Sequence, residues 1–338
     1  VGAASITGGP KKTPCQIRCR REFGDFTWTR FAASAKVSAI HQEQDMAYVV
    51  AIVSPGEMGS AVAARLSERG VRVVTSLAGR SPASAARAQR AHMAPVADDD
   101  ALVEGADFFL SICPPGEAIA LAQRLKPALT RAGKKPIYVD CNAVSPETAI
   151  AIGTVLESTG CDYVDGGIIG PPPPPNGTGT RIYVSGAAAN EVARLSEFGV
   201  AFPALEGPIG AASALKMSYG GITKGFTAIA VAMVLGATRA GSAVALHKEL
   251  EASQPHLLAW LTRQVPRMYP KAYRWVAEME EIGHFLQDGT PSGDMFAAIA
   301  RLYQDIADVA QAPSDGDTVA QLSAFFVKPD EAQERKRA

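Results

Sequence analysis

What this chain lacks first is an excess of charge of either sign. Its 33 lysines and arginines are met by 34 aspartates and glutamates, a net charge of −1. Without a basic field, neither a nucleic acid nor an anionic membrane is expected as a partner. Cysteine is scarce: Cys15, Cys19, Cys113, Cys141 and Cys161 show no metal-ligand spacing. An odd, scattered count argues against a disulfide framework and for reduced thiols in a cytoplasmic setting. Long hydrophobic runs are missing too, since the longest uncharged apolar segment, residues 225–238, is too short to span a bilayer. His247, His256 and His284 stand at no ligand spacing from one another, and no metal site is expected. No internal repeat is visible. What remains is a globular composition, 47% apolar and 20% charged, over 338 residues that suit two domains.

The ends read differently from the middle. Residues 1–45 are more basic than acidic, carry no sustained hydrophobic period and precede Met46, which stands directly before the first strand. They read as a disordered extension, as a transit peptide that would place the protein in mitochondria, or as a reading frame extended upstream of a start at Met46. Residues 327–338 form a charged tail.

Between these ends lies a strand–helix alternation that predicts a parallel sheet. Strands are expected at 47–53, 71–76, 107–112, 136–140, 162–169 and 181–184. Helices are expected at 57–69, 82–90, 117–125 and from Ser145-Pro146-Glu147, where serine caps and proline takes the first helical position. Asp98-Asp99-Asp100 reads as the polar start of a further helix, not as a cation site. After Gly210 the strand signal ends. Residues 211–240 read as one long helix, apolar nearly all round, which must be buried or face a partner chain. The rest, to about Phe326, is expected to be helical with loops at 266–270 and 288–293, and the acids of residues 276–282 solvated. This gives a Rossmann-type doubly wound parallel sheet over 46–209, followed by an all-α domain over 210–326.

The chemistry concentrates at Ser54-Pro55-Gly56-Glu57-Met58-Gly59. An apolar strand meets a tight turn that opens a helix, the arrangement that seats a dinucleotide pyrophosphate on a helix N-terminus. The fingerprint is G-x-G-x-x-G with Ser54 in place of the first glycine. Gly56 allows backbone to approach phosphate, and Gly59 allows the helix to approach the strand. A cofactor with a free ribose 2′-OH asks for an acid near the end of the second strand. No acid lies between Glu68 and Asp98; Arg80 and Ser81 stand there instead, offering charge and donors to a 2′-phosphate. The expected cofactor is NADP(H). Lys216 is a lone cation early in the apolar helix, where desolvation would lower its pKa toward a working value for proton transfer. Lys224 follows on the same helix, ~80° round, as a carboxylate holder or a solvent-reaching side chain.

These segments resemble the β-hydroxyacid dehydrogenase superfamily, which includes 3-hydroxyisobutyrate and 6-phosphogluconate dehydrogenases. Four motifs carry the resemblance: the glycine turn, Cys113-Pro114-Pro115, Asp165-Gly166-Gly167-Ile168-Ile169-Gly170, and Gly210-Ala211-Ala212-Ser213-Ala214-Leu215-Lys216. Lys216-Met217-Ser218-Tyr219, Thr223-Lys224-Gly225 and residues 266–275 look most like a branch of 6-phosphogluconate dehydrogenase-like proteins with a short C-terminal domain. The resemblance implies that Lys216 is the general acid/base. It implies that Cys113, Pro114, Pro115 and Asn142 lie on the nicotinamide side, that Cys141 packs, and that Gly167, Ile168, Tyr219 and Lys224 face a small-molecule substrate. It implies a homodimer through the long helix. Three positions depart from the family: Gly220 stands where an asparagine follows the lysine by one turn, Ile169 where the third motif has serine, and Pro171 where that motif has its last glycine. The resulting expectation is NADP(H)-dependent oxidoreduction of a small 3-hydroxyacid or its oxo partner. Imine reduction, with Tyr219 or Lys216 giving the proton, and cofactor binding without catalysis are the alternatives.

Overall fold

In the computed structural model, residues 48–326 are described, except 176, 178 and 312–316. The expectations for residues 1–45 and for the tail lie outside them. The chain runs β1 (Val49–Ile52), α1 (Glu57–Ser67), β2 (Arg72–Ser76), α2 (Pro82–Arg90), β3 (Ala94–Val96), α3 (Asp99–Val103) and β4 (Phe108–Ser111). It continues through α4 (Ala118–Arg131), β5 (Ile137–Asp140), α5 (Pro146–Leu156), β6 (Tyr163–Ile169), β7 (Arg181–Ser185) and α6 (Ala189–Ala193). The helical region is α7 (Ala211–Arg239), α8 (Ala243–Ser253), α9 (Pro255–Met268), α10 (Ala272–Phe285), α11 (Pro291–Gln311) and α12 (Thr318–Phe326).

The sheet has the order β3-β2-β1-β4-β5-β6-β7, with β7 antiparallel to β6 and every other pairing parallel. The order reverses direction between β1 and β4, which opens a crevice at the carboxyl ends of those strands. β4 is buried on both faces, as its unbroken apolar run requires. One sheet face packs Val62, Leu66 and Ala88 from α1 and α2. The other packs Leu102, Leu121, Leu125 and Ile152 from α3, α4 and α5. Local signals hold where they were strong. Ser81, Asp98 and Ser145 cap α2, α3 and α5, accepting from the N–H three residues on, and Gly70 ends α1 at φ +88°.

Two helices run through prolines that were expected to stop or loop them. α4 continues past Pro127 to Arg131, and α9 past Pro266 to Met268. In each, buried apolar residues lie beyond the proline: Ala128 and Leu129 in α4, Met268 in α9. Burial of about 1.5–3 kcal/mol per large side chain offsets the roughly 3 kcal/mol cost of an interior proline. Thus the expected 266–270 loop shrinks to a 3₁₀ turn over Tyr269–Lys271, and α11 starts inside the expected 288–293 loop. β3 escaped the sequence reading because it is three residues long with Pro95 at its centre, tolerated only on a sheet edge.

α7 links the sheet to the other helices. Its first turns lie on β6, and its flank is covered by α10 and α11, with Gly221 and Gly225 allowing Phe296 to approach. By length and composition α7 could cross a membrane, at mean hydropathy 1.5, which residues 225–238 alone did not suggest; its capped, docked start is that of a core helix. A Cβ at Gly167 on β6 would stand 2.8 Å from the Ala212 carbonyl oxygen and 2.9 Å from Lys216 Cβ. Gly167→Ala should therefore lower stability by roughly 1–3 kcal/mol. Gly116→Ala, with nothing within 4 Å, should change it by less than about 0.5 kcal/mol. Urea denaturation of the two variants checks this, and equal losses would mean that α7 does not depend on the glycine.

Candidate functional site

The carboxyl ends of β2, β1, β4, β5 and β6 lie along one edge of the sheet, because all five strands are parallel. This edge gathers the expected residues: Ser54 to Gly59 after β1, Arg80 and Ser81 after β2, Cys113 to Pro115 after β4, Asn142 after β5 and Gly167 near the end of β6. In the turn after β1, a Cβ at Gly59 would lie 2.3 Å from the Ser54 carbonyl oxygen, so only glycine lets α1 start so close to the strand. Gly56 is different. Its φ of −69° suits any residue, and a Cβ there meets nothing nearer than Ser54 Oγ at 4.0 Å. Neither backbone nor packing demands this glycine, which leaves a cradle for close approach of a ligand. No side chain caps α1, so its first N–H groups face that cradle as an anion site. Met58 turns its side chain into the core, leaving its backbone at the turn. These features fit a dinucleotide pyrophosphate.

Two guanidinium groups flank the turn. Arg80 Nη2 donates to the Val53 carbonyl at 3.5 Å, and Arg87 Nε to the Pro55 carbonyl at 2.8 Å. Arg87 was missed by the sequence reading; its spacing of seven from Arg80, two turns along, was the available signal. Ser81 serves as the cap of α2.

The next strand ends are tied together by Asn142. It is buried, its Oδ1 accepts the Cys113 N–H at 2.7 Å, and its Nδ2 donates to Ser111 Oγ at 2.8 Å and to Asp140 Oδ1 at 2.5 Å. Its part is to fix the Cys113 backbone. Burial, then Asp140, pushes the Cys113 thiol up to about 12, and burial raises Cys141 as well; neither is a thiolate nucleophile. Asp140 itself is fully buried, with an Oδ2 that has no hydrogen-bond partner. Burial raises its carboxyl from 3.8 to about 7, against hydrogen bonds from Ser111 and Asn142 and with added repulsion from Asp165.

β6 explains the third motif. Asp165 Oδ2 accepts Gly210 N–H and Ser213 N–H, both at 3.0 Å, and Ser185 O–H at 3.1 Å, while Oδ1 accepts Ser213 O–H at 2.6 Å. It caps α7 from across the sheet and sets Lys216 beside Gly167. Ile168, the next residue, points to the opposite face and packs in the core. Tyr219 is half exposed and lies in a row with Ile222, Phe226, Ile229 and Met233, all exposed on α7.

Lys224 is mostly buried, with its ammonium turned inward rather than to solvent. Both it and Lys216 converge on Glu278 of α10, with Lys216 Nζ 3.3 Å from Oε1 and Lys224 Nζ paired to Oε2. Lys224 also lies 5.1 Å over the Trp275 ring. Burial pulls Lys224 below its usual value, Lys216 adds to this, and Glu278 opposes it. Burial alone would raise Glu278, but the two ammonium groups outweigh it and hold its carboxyl well below the usual range. The expectation that the acids of 276–282 are solvated is therefore corrected for Glu278, which is 7% exposed. It fails for Glu281 too, whose Oε2 accepts Ser145 N–H at 2.7 Å and Thr148 O–H at 3.1 Å. The signal in the sequence was position: Glu278 falls on the apolar face of its helix, three residues after Trp275 and four before Ile282. Arg274, a turn earlier, pairs with Glu57 of the glycine turn at 3.2 Å. Among the described residues no group of three or more His, Cys, Asp or Glu is placed to hold a metal ion.

With this geometry in hand, the chain can be set beside known proteins. Residues 49–198 match the NAD binding domain of 6-phosphogluconate dehydrogenase, and residues 237–306 match a domain of unknown function, DUF1932. An uncharacterized 28.5 kDa protein of Methanothermus fervidus is 29% identical over 194 residues, 57% of this chain and 72% of that protein. A solved conserved protein of unknown function, reported as structurally similar to 3-hydroxyacid dehydrogenases, is 29% identical. The match covers 78% of this chain and 98% of that one, with a TM-score of 0.59. Mycobacterium tuberculosis 3-hydroxyisobutyrate dehydrogenase with L-serine shares the fold at 18% identity, covering 83% and 100% of the two chains, with a TM-score of 0.57.

Asp140 makes a prediction about pH. The unfolded chain releases this proton near pH 4, while the folded protein keeps it to about 7. Stability from this group is present below pH 4 and is lost as pH rises to about 7, by up to about 4 kcal/mol. Asp140→Asn should remove that slope. Thermal melts from pH 4.5 to 8 should show the wild type losing more stability with rising pH than the variant, and parallel curves would refute the assignment.

Proposed function

We propose that the chain is an NADP(H)-dependent oxidoreductase, a reading supported by the match of residues 49–198 to the NAD binding domain of 6-phosphogluconate dehydrogenase and by the 29% identical solved protein reported as similar to 3-hydroxyacid dehydrogenases. Its substrate is a small 3-hydroxyacid or the oxo partner of one. The observation that carries this reading is the placement of Lys216. A single lysine, seated against Gly167 by the Asp165 cap, stands on the edge where the strand ends and the phosphate turn converge. Lys216 takes the substrate hydroxyl proton in oxidation and returns it in reduction. A bound nicotinamide supplies or accepts the hydride.

The chain's own residues do the rest. The N–H groups of the Gly56–Gly59 turn receive the pyrophosphate. Arg80 and Arg87 receive the 2′-phosphate, and the absence of an acid between Glu68 and Asp98 supports that choice over a free 2′-OH. Cys113 to Pro115, fixed through Asn142, line the nicotinamide side. Lys216 and Lys224 share one carboxylate, which leaves their cluster one positive charge in excess. Such a cluster favours a substrate bearing a carboxylate over an imine whose product is a cation, and this ranks the hydroxyacid first. The molecule also pairs with a second copy through α7. The exposed row Tyr219, Ile222, Phe226, Ile229 and Met233 borders an apolar groove of about 470 Å³ between α7, α10 and α11, a patch that a lone molecule would leave in water.

Titration with NADPH and NADH, following nicotinamide fluorescence, tests the cofactor. NADPH should bind at least tenfold more tightly, and Arg80→Ala should erase that difference; equal binding of the two in the wild type sinks the NADP(H) assignment. Lys216→Met should lower turnover of the active hydroxyacid by about 10²–10⁴ with NADPH affinity kept. Cofactor binding with no turnover of any hydroxyacid or imine would instead mark a binding protein. For the second copy, light scattering at micromolar concentration should give twice the chain mass, and Ile222→Glu with Met233→Glu should give one.

A further inference from the structure

The space beside Lys216 is filled from α10. Gly220 stands one turn after Lys216 and carries no side chain; a Cβ there would lie 3.4 Å from Glu278 Oε1 and 3.7 Å from Ile282 Cδ1. Glu278 thus reaches from α10 into room that α7 leaves open. Its two oxygens divide the work: Oε2 pairs with Lys224, while Oε1 lies 3.3 Å from Lys216 Nζ and, although buried, accepts no hydrogen bond. That oxygen acts on Lys216 through charge.

The helix carrying Glu278 is held at both sides of it. Arg274, four residues before, pairs with Glu57 in the phosphate turn, and Glu281, three residues after, accepts from Ser145 and Thr148 at the start of α5. Three side chains on one face of α10 therefore register it against the dinucleotide turn, the two lysines and the β5–α5 junction. A buried ion cluster of this kind is weak as a source of stability, since desolvation cancels much of the attraction. Its presence beside Lys216 points to another role.

We propose that Glu278 is a positioning residue for the proton-moving lysine: it fixes the ammonium groups of Lys216 and Lys224 and couples both to α10. This rests on the reading of Lys216 given above. The groups facing the cluster are Lys216 and Lys224 from α7, Lys271 from the turn before α10, and Tyr303 from α11, whose hydroxyl donates to the Lys224 carbonyl at 2.6 Å. Glu278 is the one acid among them. Its charge favours the protonated form of Lys224, against burial and the nearby Lys216.

Acylation of the full chain with acetic anhydride, read lysine by lysine through peptide mass spectrometry, tests this without substrate or cofactor. Only the uncharged amine reacts. In Glu278→Gln, labelling of Lys216 and Lys224 at pH 7.5 should rise at least tenfold relative to exposed Lys248, and Glu278→Asp should bring it back toward the wild-type rate. A folded Gln variant whose two lysines label within twofold of wild type overturns the proposal, whatever its melting temperature does. Should Glu278→Gln not fold, Lys224→Met reads the same coupling from the other side. Removing the second cation should slow labelling of Lys216 at least threefold, and an unchanged rate overturns the coupling. A missing turnover would count against the hydroxyacid reading and leave this result standing.

Discussion

The carboxylate of Asp165 is the point on which the site depends. It sits within β6, next to the edge strand β7 and out of water, and receives four donors from three segments: β7, the turn at Gly210 and the first turn of α7. Each such charge-assisted bond is worth about 1.5–3 kcal/mol, and an anion at a helix N-terminus gains further from the aligned peptide dipoles. The gain is needed, because a buried carboxylate without partners is costly. Because Ser213 is bound through both its N–H and its hydroxyl, the start of α7 cannot turn about its axis. Lys216, three residues on, inherits that orientation. Gly167 completes the arrangement by letting the helix backbone rest on the strand.

A second constraint follows from how α7 is used. One flank touches the sheet, another packs on α10 and α11 through glycines, and a third presents an apolar row to the outside. A helix with so little polar surface can carry two lysines only where something neutralises them. Glu278 does so from α10. The two lysines and their counter-charge thus come from different helices, and the packing of α10 on α7 sets the cluster through one side chain. Arg274 and Glu281 hold that position from either side.

Much of the sheet was legible because its signals are local. Alternation of apolar runs with capped helices, Ser145-Pro146 and Ser81-Pro82 among them, depends on residues within a turn of one another. The glycine turn was legible for the same reason. Where local rules met tertiary packing they yielded: Pro127 and Pro266 lie inside helices because residues beyond them are buried, and Pro95 lies in a strand because that strand is an edge. In the site, the roles of Asn142, Asp165 and Ile168 were not legible. Whether a polar side chain at a strand end faces a ligand or a neighbouring strand depends on pairings dozens of residues apart, such as Asn142 with Cys113 or Asp165 with Gly210.

Strand–helix order, the phosphate turn with Gly56 and Gly59, the absence of an acid where a 2′-OH would need one, and the single long apolar helix that carries Lys216 are all written along the chain. These follow from backbone geometry and from periodicity, which act over a few residues. Packing between distant segments is what buries Glu278 between two lysines, turns Lys224 inward, brings Arg87 beside Arg80 at the turn, and raises the Asp140 carboxyl to about 7. Each of these is a matter of desolvation and of charge at a distance. Both are set by which segments of the chain exclude water together, and no stretch of sequence contains that information alone.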